Sequence, residues 1–410
     1  MKKLIYLHQY FAFPDSSAGT RSYDFGTLFY KEGYEVEIIT GSGYLNKKYV
    51  TKKGWNKIEK DGIIVHALNL NVSNKMGFFR RLLGFLIFMI KSTVKILSIK
   101  ADIVIATSTP LTISIPALIK KLFQGTPFIF EVRDVWPDVP IAMGIIKNPM
   151  IKKITFYLEK VTYNHSSHII TLSTDMEDNL LSKGMDSQKI SVITNIAHIS
   201  RFRINQLTNV YLEKFKNKKI VLYTGTIGIV NNLSYLVHLA KSVIKYSSEI
   251  IFVVVGDGID KEEITLLAKN EEVLDRNFFI LPPVSKNELP FLLNKATILS
   301  SWVGNIPELW ANSANKFFDA LAAGKPIVIN HYGWQSRVIE NCKVGYVLSP
   351  VSNEEEIRNF VDFILDENLI ESCGNNALEL ASKKYSLDVL GQKYIEVIRE
   401  HAKEKEEWNL

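Results

Sequence analysis

Apolar runs with strand spacing alternate with helix patterns along almost the whole chain, and the series occurs twice. In the first half the strand-like runs are 3–8, Glu35–Thr40, 62–68, Ile103–Ala106, Pro127–Glu131, His168–Leu172 and Ser191–Ile193. Helix patterns fall between them at 18–32, 111–123, 149–165 and 174–183, with a basic helix ahead of Ile103. The second half restarts at Lys219–Tyr223 and continues through Ile250–Val255, Phe278–Leu281, Thr297–Leu299 and 327–330, with helix patterns at 233–246, 286–294, 312–324, 354–366 and 387–405. This order predicts parallel sheets covered by helices on both faces. The stretch Asn195–Lys219 breaks the series and is polar and basic, so the linker is placed there. At 410 residues, 47% of them hydrophobic, the chain exceeds one ordinary core. It fits two domains of about 200 residues each. The expected division of this α/β chain is 1–198 and 199–385, with a helix over 386–410.

Two cysteines, Cys342 and Cys373, have no paired spacing and no CxxC. They give no disulfide framework and no zinc site, which suits a reducing cytoplasm. Met1-Lys2-Lys3 runs at once into Leu4-Ile5-Tyr6-Leu7 with no cleavable apolar segment behind it, so no secretory signal is expected. A net charge of +6 does not imply nucleic acid, and no aromatic interleaving of the RNA-binding kind is evident. Its placement says more. From Gly62 to Ala101 there is no Asp or Glu, while Lys75, Arg80, Arg81, Lys91, Lys95 and Lys100 all fall there. Wound as a helix over 77–99, Arg80, Arg81, Lys91 and Lys95 occupy an arc of about 100°. Phe79, Leu82, Leu83, Leu86, Met89, Ile90, Val94 and Leu97 cover the other side. The uncharged run Leu82–Ile90 is far short of the ~20 residues that span a bilayer. Two readings stand side by side: a helix lying on an anionic membrane surface, and a core-packed helix with a solvated basic face.

The segment Asn312-Ser313-Ala314-Asn315-Lys316-Phe317-Phe318-Asp319-Ala320-Leu321-Ala322-Ala323-Gly324-Lys325-Pro326 reads as a short helix. Asn312 and Ser313 are expected N-caps, Phe317, Phe318 and Leu321 form an apolar stripe, and Gly324 stops the helix before a strand. A helix start carries unpaired N–H groups and the positive end of the dipole, and Lys316 adds a full charge, so a phosphate is favoured there. Lys316 and Asp319 share one helix face. A ligand with phosphates at the helix start reaches Asp319 with vicinal hydroxyls, as a nucleoside diphosphate would. The plain alternative is an i,i+3 surface pair. The preceding Leu299–Pro307, a strand end opening into a loop, favours the ligand, because such loops bind ligands in open α/β sheets.

This segment resembles the nucleotide-sugar signature of retaining glycosyltransferases of family 4, in particular the bacterial envelope-polysaccharide branch that makes O-antigen, capsule or colanic-acid-type polymers. The resemblance extends to Glu131-Val132-Arg133-Asp134-Val135-Trp136-Pro137-Asp138, to Pro14-Asp15-Ser16-Ser17-Ala18-Gly19-Thr20-Arg21 and to Tyr223-Thr224-Gly225-Thr226-Ile227-Gly228. It implies the GT-B fold: two Rossmann-like domains facing a central cleft, acceptor-binding first and nucleotide-sugar-binding second, with the last helix crossing back to the first domain.

The resemblance also implies roles. Gly225, Thr226 and Gly228 form the turn that approaches the donor diphosphate, and Asn315, Lys316 and Asp319 complete the donor site. Leu281-Pro282-Pro283-Val284 is similar to the loop that contacts the base, with Val284 as the contact. Gly19 and Arg21 face the diphosphate from the first domain. Arg133 and Asp134 stand where relatives carry His-Asp beside the reacting sugar; a buried Arg-Asp pair is the structural alternative. The sequence departs from many relatives, which carry Arg and Lys near the turn, where Thr226, Val230, Asn231 and Asn232 stand here. Of two family glutamates eight apart, Asp319 matches the second and Ala311 falls on the first; Glu308 is near, but spacing does not give it that role. Gly256-Asp257-Gly258 lacks the third glycine of a dinucleotide fingerprint, Lys261 standing in that place.

The expected activity is a retaining hexosyltransferase moving a sugar from a UDP-sugar to a polyprenyl-diphosphate-linked saccharide, an N-acetylated hexosamine being the candidate that the resemblance offers. Arg133, Asp134 and Lys316 are its expected catalytic groups. No Asp-x-Asp motif appears in a plausible loop, so no metal and no cofactor is expected. The expected place is the cytoplasm, peripheral to the inner face of the plasma membrane through residues 77–99. The rivals are a nucleotide-sugar epimerase of GT-B fold and an inactive membrane-associated partner subunit.

Overall fold

A computed structural model of the chain describes residues 1–16, 18–70, 78–202, 212, 214–284 and 288–402, and of residues 78, 79 and 81 the backbone alone. Ser17, Gly77, Lys75, Lys286, the middle of the expected linker and the end of the expected tail helix beyond residue 402 lie outside the described residues. The chain divides into two compact units, 1–194 together with the chain from Leu387, and 195–386.

The first unit is built on eight strands: β1 (Lys3–Leu7), β2 (Glu35–Gly41), β3 (Trp55–Lys60), β4 (Ile63–Leu68), β5 (Ile103–Thr107), β6 (Phe128–Val132), β7 (His168–Thr171) and β8 (Ile190–Val192). They lie in the order β3-β4-β2-β1-β5-β6-β7-β8. All neighbours are parallel except β3 and β4. β1, β5 and β6 have scarcely an exposed side chain, as expected of strands covered on both faces. The helices are α1 (Arg21–Lys31), α2 (Phe78–Leu97), α3 (Ser114–Gln124), α4 (Asp138–Ala142), α5 (Pro149–His165) and α6 (Thr174–Ser182). The helix Leu387–His401 packs on α1 through Tyr394, whose ring lies 4.9 Å from Phe25 and 5.1 Å from Phe29.

β3 has no counterpart among the sequence expectations. It is an edge strand whose polar residues alternate in water, joined to β4 through Asp61-Gly62 at φ 52° and 82°. Two consecutive left-handed residues make the two-residue hairpin turn for which Asp-Gly is the usual sequence.

The second unit carries β9 (Lys219–Thr226), β10 (Ile250–Asp257), β11 (Phe278–Leu281), β12 (Ile298–Ser301), β13 (Ile327–Ile329) and β14 (Gly345–Val347) in the order β11-β10-β9-β12-β13-β14, all parallel. β14 is a further edge strand that the sequence reading did not include. The helix Asn315–Ala322 lays Phe317, Phe318 and Leu321, all wholly buried, into the core beneath the sheet.

In α2 the stripe on the sheet side is Gly84, Phe88, Ser92 and Ile96, spaced four apart. Leu82, Leu83, Leu86, Ile90 and Val94, expected on the apolar side, are exposed. The helix is apolar almost all round, so periodicity placed the apolar stripe correctly but not its destination. The helix does pack on the core through Phe88 and Ile96, as the core-packed reading expects, but apolar side chains are exposed beside the basic ones, which corrects that reading in part.

Candidate functional site

The second sheet reverses its winding between β9 and β12: the chain steps outward from β9 to β11, then returns to the other side of β9. In open α/β sheets ligands bind outside the carboxyl ends of the strands at such a point. The residues supplied there are the end of β9, Gly225-Thr226, and the segment that leaves β12 and enters the helix Asn315–Ala322.

Lys316 lies in the first turn of that helix. Its Nζ stands 4.9 Å from the centre of the buried Tyr223 ring, a cation–π contact. Gly225 has φ +137°, and a Cβ built on it would come 2.9 Å from Lys316 Cε. The absent side chain at 225 is therefore the space the lysine occupies. The Tyr223 hydroxyl donates to the Thr226 carbonyl at 2.7 Å, and Asn231 Nδ2 donates to the same oxygen at 3.0 Å. Asn231 thus closes the turn. From behind, a Cβ at Gly256 would lie 1.9 Å from the Gly225 carbonyl oxygen, and Ile227 N donates to Asp257 O at 3.0 Å. The Gly256-Asp257-Gly258 turn is a backbone buttress, and Lys261 opens the next helix, Lys261–Asn270.

Lys316 and Asp319 line one pocket with Thr224 and Ser300, over a floor that includes Leu222 and Leu299. Burial pushes the Lys316 ammonium down to about 8 against the opposing pull of Asp319. A second negative group arriving beside it raises that value and keeps the ammonium charged over a wider pH range. Asn315 is exposed at the helix start. The N-cap is Ala314, with no side-chain capping bond, which corrects the expectation for Asn312 and Ser313. Their carbonyls are drawn elsewhere: Asn195 Nδ2 donates to Ser313 O at 2.7 Å, and Trp334 Nε1 to Asn312 O at 3.3 Å. Gly228 accepts from Asn231 N at 2.9 Å and has no positive φ. Val284 packs against the core beyond the edge strand β11, with β10 between it and Gly225.

The first sheet has its own reversal between β1 and β5, and a buried polar cluster sits there. Arg21, the first residue of α1, is 4% exposed. Its Nε donates to Glu131 Oε1 at 2.7 Å, NH2 to the Ile193 carbonyl at 2.8 Å, and NH1 to the Thr194 carbonyl. Glu131 also accepts from Thr107 Oγ1 at 2.6 Å and from the Tyr6 hydroxyl at 3.0 Å. Burial opposes its ionisation, but Arg21 and Arg133 outweigh that and hold the carboxyl below its ordinary range. The expectation that Arg21 faces a diphosphate is therefore corrected: its donors are spent inside the first unit. Gly19 lies in the loop just before the N-cap Thr20, whose hydroxyl donates to Asp24 at 2.6 Å.

Arg133 and Asp134 follow β6 but do not pair with each other. Arg133 NH1 donates to His8 Nε2 at 3.0 Å, while Asp134 accepts from the Thr109 hydroxyl. Burial, then Arg133 and Arg21, keep His8 well below its ordinary value and so neutral. With Nε2 accepting, the remaining proton belongs on Nδ1, which meets Ser22 Oγ at 2.8 Å. His8 and Tyr223 were not singled out in the sequence. The signals were present: Tyr223 is two residues before Gly225 on the same strand, and His8 directly follows the central strand β1.

Residues 18–201 match the family model described as Glycosyltransferase Family 4, and residues 209–380 the model described as Glycosyl transferases group 1. The chain is 25% identical over 279 residues to the putative colanic acid biosynthesis glycosyl transferase WcaI of Escherichia coli (strain K12), covering 64% of this chain and 67% of that protein. It is 22% identical over 244 residues to the uncharacterized glycosyltransferase MJ1069 of Methanocaldococcus jannaschii, covering 57% and 59%. The chain thus spans about two thirds or less of the length of these two relatives. The structure of HepE from Anabaena in complex with UDP and glucose superposes with TM-score 0.71 at 14% identity, over 98% of this chain and 100% of that one. With two matched glycosyltransferase models in succession and this architecture, the chain is a glycosyltransferase of the GT-B type.

Proposed function

We propose that the chain transfers a sugar from a UDP-sugar to a lipid-linked saccharide in the building of a bacterial surface polysaccharide, with retention of configuration. The observation that carries this reading is the placing of the Lys316 ammonium beside the open Gly225 turn, with Asp319 one turn deeper in the same pocket. In this reading Lys316, Asn315 and the first-turn N–H groups meet the diphosphate, Asp319 accepts the ribose hydroxyls, and the loop ending in Val284 meets the base. The Gly225-Thr226-Ile227-Gly228 backbone lies along the phosphates. In the first unit Arg133 and Asp134 serve the reacting sugar, held by His8 and Thr109. The acceptor oxygen bonds to the anomeric carbon as the bond to the diphosphate breaks, and the hydroxyl proton passes to the departing phosphate oxygen. Lys316 stabilises the negative charge that grows on that oxygen.

The colanic acid name of the relative WcaI supports the polysaccharide setting, and the UDP held by HepE supports the nucleotide. The exposed apolar face of α2, with Arg80 and Lys91 exposed beside it, supports attachment to an anionic bilayer where a lipid-linked acceptor resides. Among the described residues no helix is long and apolar enough to cross a membrane. The test is thermal stabilisation by a panel of UDP-, dTDP- and GDP-sugars, followed by turnover with the best of them. Stabilisation by uridine nucleotides is expected. No response to any nucleotide would overturn the reading.

A further inference from the structure

We propose that α5 is a second membrane-contacting helix, so that the first unit meets an anionic bilayer along α2 and α5 together; this rests on the membrane attachment read from α2. The helix starts firmly, with Pro149 in its first turn and Asn148 accepting from Met150 N and Ile151 N. Glu159, Thr162 and Tyr163 form its inward face, where Thr162 Oγ1 donates to Ser114 Oγ on α3 at 2.8 Å. The opposite face carries Met150, Ile154 and Tyr157, spaced as one helical stripe and exposed by 70%, 55% and 69%. So large an apolar stripe in water calls for an occupant.

The charges identify that occupant. Lys147, Lys153 and Lys160 are exposed around the stripe. Between Val139 and His165 the sequence holds one carboxylate, Glu159. It is buried and bonded to Lys183 at 2.6 Å, so the outward surface is apolar and positive without compensation. Protein interfaces are depleted in lysine, whereas helices lying in an anionic bilayer surface combine apolar side chains with flanking lysines. α3 ties the two helices together. Its Lys120 donates to the Ile96 and Ile99 carbonyls at the end of α2, at 3.0 and 2.7 Å. Lys121 donates to the His165 carbonyl at the end of α5, at 2.6 Å. The last turn of α3 holds Leu122 and Phe123 out by 79% and 74%. Two basic apolar helices are thus joined by an equally exposed apolar tip.

The experiment is co-sedimentation of the full chain with vesicles of phosphatidylglycerol and phosphatidylcholine, beside vesicles of phosphatidylcholine alone. The triple variant Met150→Ser, Ile154→Ser, Tyr157→Ser is expected to lower partitioning by about tenfold or more. Lys153→Gln with Lys160→Gln is expected to weaken binding to the anionic vesicles alone. Retained thermal stabilisation by UDP in these variants shows that the fold survives. Independently, Ile154→Trp is expected to be quenched by brominated lipid. If the triple variant sediments as the unaltered chain does and Ile154→Trp escapes quenching, α5 is not in the bilayer, while loss of binding on altering α2 would leave the first reading standing. If the unaltered chain ignores anionic vesicles, both readings fall. Binding only to membranes that contain proteins also overturns the proposal, in favour of a protein partner.

Discussion

Lys316 Nζ stands 4.9 Å from the centre of the Tyr223 ring. The ring is itself fixed, because its hydroxyl donates to the Thr226 carbonyl at the tip of the turn that the lysine overlooks. One tyrosine therefore sets both the turn and the cation, and Gly225 leaves the space between them.

Gly225→Ala is expected to disturb this arrangement while sparing the fold. A Cβ there would come 2.9 Å from Lys316 Cε on a backbone at φ +137°. The lysine must move, and turnover should fall by about one to two orders of magnitude, with a smaller change in melting temperature. Steady-state kinetics beside thermal unfolding checks this. Unaltered kinetics would mean that the glycine does not place the lysine.

Nucleotide binding should take up protons. In the free protein burial holds the Lys316 ammonium at about 8; a bound diphosphate raises it, so the bound form stays charged over a wider range. Affinity for UDP is therefore highest below about pH 8 and declines above it, until the bound form also loses its proton. Calorimetry at pH 8 in buffers of different ionisation enthalpy should show proton uptake. Lys316→Arg, which stays charged, should abolish it.

Arg21→Ala should act on stability first. The guanidinium is buried against Glu131 and two carbonyls, and removing one partner of a buried pair costs about 3 to 5 kcal/mol. A clear fall in melting temperature is expected. An unchanged melting temperature with lost nucleotide affinity would restore the sequence reading of Arg21 as a donor-site group.

Turnover is expected to survive EDTA, because Lys316 and the helix start supply the counter-charge. Among the described residues no three His, Cys, Asp or Glu side chains gather where they could hold an ion. Activity lost in chelator and restored by Mg2+ or Mn2+ would contradict this.

The parallel strands were legible in the sequence because burial on both faces leaves unbroken apolar runs such as Ile103-Val104-Ile105-Ala106. β3 was not, because its side chains alternate in water and the signal lay in Asp61-Gly62. Lys316 and Asp319 were legible as a pair because helix spacing alone puts them on one face. Arg21 was misread because its partner Glu131 lies 110 positions away, and charge at a helix start looks alike whether it faces a ligand or the core. The caps Asn312 and Ser313 were misread because the helix begins only at Asn315, behind the N-cap Ala314, and contacts from Trp334 and Asn195 on other elements hold the backbone ahead of it.

The central claim is that a nucleoside diphosphate sits where β9 ends and the helix Asn315–Ala322 begins. Calorimetric titration of UDP into the chain and into Asp319→Asn tests it most directly. A charged carboxylate accepting the ribose hydroxyls predicts a loss of about 1 to 3 kcal/mol in the variant, with an unchanged melting temperature when UDP is absent. Equal UDP affinity in the two proteins would contradict the claim.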